Sequence, residues 1–446
     1  MSERPLRICF AAYRGNMRCG GQGVYLWFLA RELSRLGHRV DVLVGPPYPD
    51  PMPFARVCEL PNDQFWGRWF CRDRSGFVLR PNPLRIFSPL TFYELAASRM
   101  GFLPEPFAFS LRAFRELGAR LRAGGHYDLV HDVQCLGWGM LGIRALGLPV
   151  VATIHHPLSI DRRASFARDQ GLREALGSMQ FYPVGMQSFV ARRVDRMLTS
   201  SVASAREIAR DFGVEPGRIR MVANGVDTEL YCPDPRVLRD PNEILCVGRA
   251  ADPNKGVAGL VEALALLPAR VTLTLVDEDD PGSAARRRAR ELGCADRLRI
   301  TGRLPTPELL RLYRRAALVV VPSRYEGFGL PAAEAMACGT PVVATAAGAL
   351  PEVVNAGGGG VLVPRDDPRA LARAVAELLA RPETRAELGA IGRKRIEAAY
   401  SWPRVARATA GVYAEVLAER GRPTSSTTSA RAGARRASQS SPASAP

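Results

Sequence analysis

Short apolar runs of strand length alternate with longer amphipathic stretches, and this alternation occurs twice along the chain. The first run is Leu6–Phe10. After a glycine-rich loop, Tyr25, Leu29, Leu33 and Leu36 recur at helical spacing, Gly37 ends the stretch, and Val40–Val44 resumes as a strand. Asp128–His131 and Val150–Ile154 are further strand candidates. The order restarts after Asn224-Gly225-Val226-Asp227, with candidates Ile244–Val247, Val271–Val276, Leu298–Thr301, Leu318–Val321 and Pro341–Ala344. Strands joined through helices pair in parallel, and a parallel sheet is covered on both faces. The pattern predicts two successive parallel α/β domains, which 446 residues accommodate.

Hydrophobic residues make up 47% and charged residues 24%, the balance of a chain with large cores rather than a disordered one. No apolar run approaches the roughly 18 residues that span a bilayer, and the apolar stretch near the N-terminus is too short for a secretory signal. The nine cysteines are odd in number and form no C-x-x-C pair, so neither a disulfide framework nor a zinc site is indicated. A reducing, cytoplasmic setting is the default expectation. The net charge of +17 suggests an anionic partner, but only Lys255 and Lys394 are lysines, and the arginine excess reads as compositional. No nucleic-acid partner is expected.

In open α/β sheets, ligands bind beyond the carboxyl ends of the strands. After Ile244–Val247 come Gly248-Arg249, then Asp252-Pro253-Asn254-Lys255-Gly256 and a helical stretch. Two cations and two glycines at a strand-to-helix turn suit a phosphate: Arg249 offers a planar fork, Lys255 a point charge, and the helix start free N–H groups. After Leu318–Val321 comes Pro322-Ser323-Arg324-Tyr325-Glu326-Gly327-Phe328-Gly329-Leu330-Pro331-Ala332-Ala333-Glu334. Glycines beside Phe328 admit a ligand to the backbone, Pro331 opens a helix, and Glu334 is expected in its first turn. Glu326 and Glu334 are each able to accept hydrogen bonds from sugar hydroxyls. His155 and His156 follow Val150–Ile154, again at a carboxyl end, whereas His131 reads as structural and His38 and His126 carry no signal.

The runs EGFGLPAAEAMACGTPVVAT, VGRAADPNKG, NGVD and GGQGVYLWFLARELSRLGHRVDVLV resemble the retaining GT-B glycosyltransferases of family 4. The resemblance implies two Rossmann-like domains facing a central cleft. It divides the chain into an acceptor-side domain (1–222), a nucleotide-sugar-binding domain (223–399) and a helix crossing back (400–420), while the tail 421–446, rich in Ser, Thr, Ala, Pro and Arg, is expected from its composition to be disordered. Residues 46–125, rich in proline and aromatics without clear period, read as an insertion near the cleft. By motif, Arg249 and Lys255 would neutralise a donor diphosphate beside Gly248. Glu326 would contact the donor sugar, with Gly327 and the backbone N–H groups of Phe328, Gly329 and Leu330 beside it. Glu334 would bind the ribose, Gly20 and Gly21 would admit phosphate or acceptor, and His155 would lie near the reacting sugar.

These implications make the donor a UDP- or GDP-sugar, with no cofactor, no metal and an unidentified acceptor, a lipid or glycan at the membrane face being one option. One departure stands out: where the family commonly has Gly-x-Gly, this chain has Val276-Asp277-Glu278-Asp279-Asp280. That acidic loop places base recognition in doubt and allows a metal site as a secondary reading. The alternatives are a sugar-nucleotide epimerase or phosphorylase on the same scaffold, or an anionic-surface binding protein.

Overall fold

The computed structural model describes residues 4–17, 21–62, 84, 87–155, 157–166, 183–355 and 358–421. Gly20, His156 and the tail beyond 421 lie outside the described residues.

The first sheet contains β1 (Arg7–Ala12), β2 (Arg39–Val44), β3 (Arg56–Glu59), β4 (Leu129–Val133), β5 (Val150–Thr153), β6 (Arg196–Thr199) and β7 (Ile219–Met221). Its order is β3-β2-β1-β4-β5-β6-β7, and every pairing is parallel. The second sheet contains β8 (Asp240–Val247), β9 (Thr272–Val276), β10 (Leu298–Ile300), β11 (Ala316–Val321), β12 (Val342–Thr345) and β13 (Gly360–Val363). Its order is β10-β9-β8-β11-β12-β13, again all parallel. Central strands such as Ala316–Val321 are buried throughout, which explains why they read as continuous apolar runs. In each sheet the strand order reverses beside its first strand, between β1 and β4 and between β8 and β11. Crevices form at such reversals, beyond the strands' carboxyl ends.

Residues 46–125 are more regular than their composition suggests. β3 adds an edge strand, and the helix Glu105–Arg122 buries Ala108, Phe109, Ala113 and Leu117. Phe109, Ala113 and Leu117 recur every fourth residue, a helical stripe that the proline- and aromatic-rich composition of the whole stretch conceals. Residues 63–83 and 85–86 of that stretch lie outside the described residues. The sequence pattern does not show β6, β7 or β13: Arg196 and Arg220 interrupt the apolar runs of β6 and β7, and β13 opens on Gly360.

The chain crosses between the sheets twice, at 222–226 and again at 400–402. The two crossings pair: Val226 N–H donates to the Tyr400 carbonyl at 2.7 Å, and Val226 bridges Ser401. A Cβ on Gly225 would sit 2.4 Å from the Trp402 indole, so only glycine fits there. The final helix, Trp402–Gly421, then packs on Gly21–Arg35 in the core of the first sheet. Trp402 stacks on Phe28 with ring centroids 5.3 Å apart. Arg31 pairs with Asp227 at 3.3 Å, tying the NGVD segment to the first domain.

Candidate active site

The two loops singled out above leave β8 and β11, the neighbours at which the second sheet reverses. Lys255 ends a short 3-10 turn, Pro253–Lys255, that Asp252 caps by accepting from Asn254 N–H at 2.9 Å. Gly256 follows at φ 63. A Cβ there would lie 2.0 Å from the Pro322 carbonyl oxygen, so the left-handed glycine lets the β8 loop press against the β11 loop. Arg324 N–H donates to the Asn254 carbonyl at 2.7 Å and completes the join.

This docking brings Lys255 onto Glu326. Lys255 Nζ donates to Glu326 Oε1 at 2.7 Å, and Ser323 Oγ donates to the same oxygen at 2.9 Å. Burial works against the ammonium charge, but the Glu326 carboxylate more than offsets it and holds the Lys255 pKa above its ordinary value. An ammonium has three N–H donors, so two remain for another anion. Arg249 is exposed on the β8 loop and, among the described residues, its guanidinium pairs with no carboxylate.

Beyond Glu326 the backbone turns into the helix Leu330–Ala337 through Gly329 at φ 92, with no side-chain cap. Among the described residues, the N–H groups of Phe328, Gly329 and Leu330 meet no protein acceptor. Such a helix start favours an anion. The Phe328 ring itself is buried against Tyr400, so this residue offers its backbone only. Glu334 is the helix's fifth residue, past the first turn where it was expected. Its carboxylate accepts from the Tyr313 hydroxyl at 2.8 Å. Burial pushes the Glu334 pKa up to about 7, against the hydrogen bonds from Tyr313 and Tyr231.

Across the cleft, Gly21 opens the helix Gly21–Arg35, and a Cβ there would come 3.2 Å from Leu330 Cδ1. His155 lies past the end of β5. Its N–H donates to Gln134 Oε1 at 3.1 Å, its ring stands edge-on to Tyr25 at 4.8 Å, and its carbonyl accepts from Ser204 Oγ at 3.0 Å. Ser204 Oγ is also 3.3 Å from the Gly327 carbonyl, so the His155 and Glu326 loops are one hydroxyl apart. Gln134 adopts φ 59, a left-handed conformation that costs energy for a side chain other than glycine. His131, by contrast, is fully buried between Tyr413 and Thr153, and burial together with the nearby His155 lowers its pKa to about 3.

The acidic loop after β9 is engaged locally. Asp277 accepts from the N–H groups of Ala250 and Glu278, both at 2.7 Å. Glu278 pairs with Arg303, and Asp279 with Arg286. Among the described residues no three metal-ligating side chains converge. Sequence reasoning passed over Ser323, Gln134, Ser204, Tyr313 and Tyr231. Only Ser323 had a visible signal, its place inside the β11 loop motif.

Residues 19–230 match the model of Glycosyltransferase Family 4, and residues 233–395 that of Glycosyl transferases group 1. The MMP alpha-(1->4)-mannosyltransferase of Mycolicibacterium hassiacum is 40% identical over 93% of this chain and 99% of its own length. The chain belongs to glycosyltransferase family 4. The D-inositol 3-phosphate glycosyltransferase of Thermobispora bispora is 34% identical over 90% of this chain and 91% of its own. Among solved structures, sucrose-phosphate synthase of Thermosynechococcus elongatus superposes with a TM-score of 0.67, 25% identity, and coverage of 93% of this chain and 100% of that one. Anabaena Alr3699/HepE, solved with UDP-glucose, gives 0.67 at 19% identity over 92% and 100%. The fold of this family 4 enzyme is therefore GT-B, two Rossmann-like domains facing a cleft. No helix among its described residues is long and apolar enough to cross a membrane.

Proposed function

We propose that this glycosyltransferase is retaining and moves a hexose, mannose first among the choices, from a UDP- or GDP-sugar to a hydroxyl of a glycan or lipid acceptor. The observation that carries the reading is the junction of Lys255, Glu326 and the uncapped helix start at Gly329. The 40% identical mannosyltransferase favours mannose and an α product. In the usual hexose nucleotides with this stereochemistry the leaving group is also α, so an α product means retention.

Departure of the nucleoside diphosphate leaves charge on its phosphates. Lys255, Arg249 and the N–H groups of Phe328 to Leu330 stabilise that charge as it forms, without reorganising and without a metal. Glu326, held by Lys255 and Ser323, accepts from hydroxyls of the donor sugar, and Glu334 accepts from the ribose. His155 and Gly21 border the reacting centre from the acceptor side. In a retaining reaction the departing phosphate itself takes the acceptor proton, so no carboxylate base is required.

The test is thermal unfolding with UDP, GDP and ADP, each with and without Mg²⁺. A ligand at about 100 times its Kd stabilises by about 2.7 kcal/mol, a readable shift. A shift with UDP or GDP that needs no metal supports the reading and names the base. No shift with any nucleotide under either condition would overturn it.

A further inference from the structure

The turn between β6 and the helix Val202–Phe212 carries Ser200 and Ser201, Ser204 stands in the helix's first turn, and all three touch the opposite domain beside Glu326. Ser200 and Ser201 hydroxyls donate to the Gly327 carbonyl at 3.0 and 2.9 Å, occupying its two lone pairs. Ser204 donates its one proton to the His155 carbonyl, so the Tyr325 hydroxyl, 3.2 Å away, donates to Ser204. One chain of hydrogen bonds thus runs from Tyr325, next to Glu326, to His155.

The same helix start has donors to satisfy. Ser204 N–H is capped by Ser201 Oγ at 3.0 Å. The N–H groups of Val202 and Ala203 donate to the two carboxylate oxygens of Glu352, both at 2.9 Å, and Glu352 belongs to the other domain. An anion at a helix N-terminus satisfies orphan donors and the helix dipole together. Glu352 is braced from behind, its carbonyl accepting from Arg395 at 2.7 Å and from the Tyr400 hydroxyl at 3.3 Å. Three residues earlier, Ala349 N–H donates to the Glu326 carbonyl at 2.9 Å. This bond ties the Glu352 segment to the Glu326 loop.

We infer that Glu352 and Ser201 are positioning residues that latch the two domains, fixing His155 at its working distance from the donor-sugar loop around Glu326. The inference rests on the glycosyl-transfer reading for its consequence, but the latch itself is testable without it. Breaking the latch leaves the nucleotide's own contacts in the second domain intact and loosens the alignment of donor and acceptor sides.

The experiment compares wild type, Glu352→Ala and the milder Glu352→Gln by amide hydrogen exchange, with nucleotide binding and turnover measured alongside. In Glu352→Ala, exchange in segments 200–204 and 325–330 should quicken together by about tenfold or more, with the sheet strands unchanged; Glu352→Gln should fall between. The Kd for UDP or GDP should stay within about twofold, while kcat on the matching UDP-glucose or GDP-mannose, release to water included, falls by about tenfold. Faster exchange confined to 200–204 would reduce Glu352 to a helix cap and overturn the inference, as would unchanged kcat in an active enzyme. A wild type that neither binds nor consumes these nucleotides would instead remove the glycosyl-transfer reading, while the exchange data still decide whether the latch exists.

Discussion

Lys255 is the residue through which the site's electrostatics run. It is held by Glu326, yet its side chain keeps 29% exposure, enough to meet a ligand from the cleft. Lys255→Ala should lower turnover by about 10²–10³, the usual cost of deleting one donor to developing charge. Stability without ligand should fall as well, because the buried Glu326 loses its cation, so turnover is read per folded enzyme, and wild-type turnover would refute the role. Glu334 makes a pH-dependent prediction. Its carboxyl titrates near 7 when folded and near 4.3 when unfolded. The folded state therefore binds the extra proton, and this residue's contribution to stability is full below about pH 4 and lost as pH rises through 7. Glu334→Gln should flatten that loss by on the order of 2 kcal/mol between pH 5 and 8, read by urea unfolding. A ribose hydroxyl donates best to the ionised form, so wild-type nucleotide affinity should rise across pH 6 to 8 and the variant's should not.

At the scale of elements, helix starts are treated differently according to what they face. Pro368–Leu379 is closed by Asp367, which accepts from Ala370 N–H at 2.9 Å, and Val202–Phe212 by Ser201 and Glu352. Leu330–Ala337, which faces the cleft, begins on glycine and has no side-chain cap. Gly256 plays a matching part for the β8 loop, since its left-handed backbone and its contact with Pro322 leave no room for a side chain. Gly256→Ala should cost of order 1–3 kcal/mol in backbone strain alone. Because relief must push Lys255 away from Glu326, nucleotide affinity should fall as well. A variant with wild-type stability and affinity would show that the two loops are not locked by this contact.

At the scale of the molecule, the final helix returns the end of the chain to the core of the first domain. Trp402, fully buried against Phe28, and Tyr413, bonded to His131 at 2.5 Å, belong to the core of the first sheet although they lie at the far end of the chain. Trp402→Ala should cost about 3–5 kcal/mol. Calorimetry should show the loss in the unfolding of the first domain, with the second domain's transition nearly unmoved. The reverse pattern would assign the helix to the second domain.

The sequence by itself determined the two parallel α/β units, because buried central strands need unbroken apolar runs and their helices need stripes, both of which are local patterns. It also singled out Lys255, Glu326 and the glycines around Phe328, which the fold brings to one junction, because glycines and lone charges at strand ends leave a visible motif. It did not mark Ser323, Ser204, Gln134 or Glu352. Serine, glutamine and glutamate are ordinary surface residues, and their roles arise only where a hydroxyl, an amide oxygen or a carboxylate meets a backbone group brought there by another part of the chain. Glu352 reaches Val202 across about 150 residues of sequence. It was likewise tertiary packing that set Glu334 against Tyr313, and that enlisted Glu105–Arg122 from an apparently irregular stretch. Periodicity records which side of an element is buried; only the assembled domains decide which polar groups meet in the cleft between them.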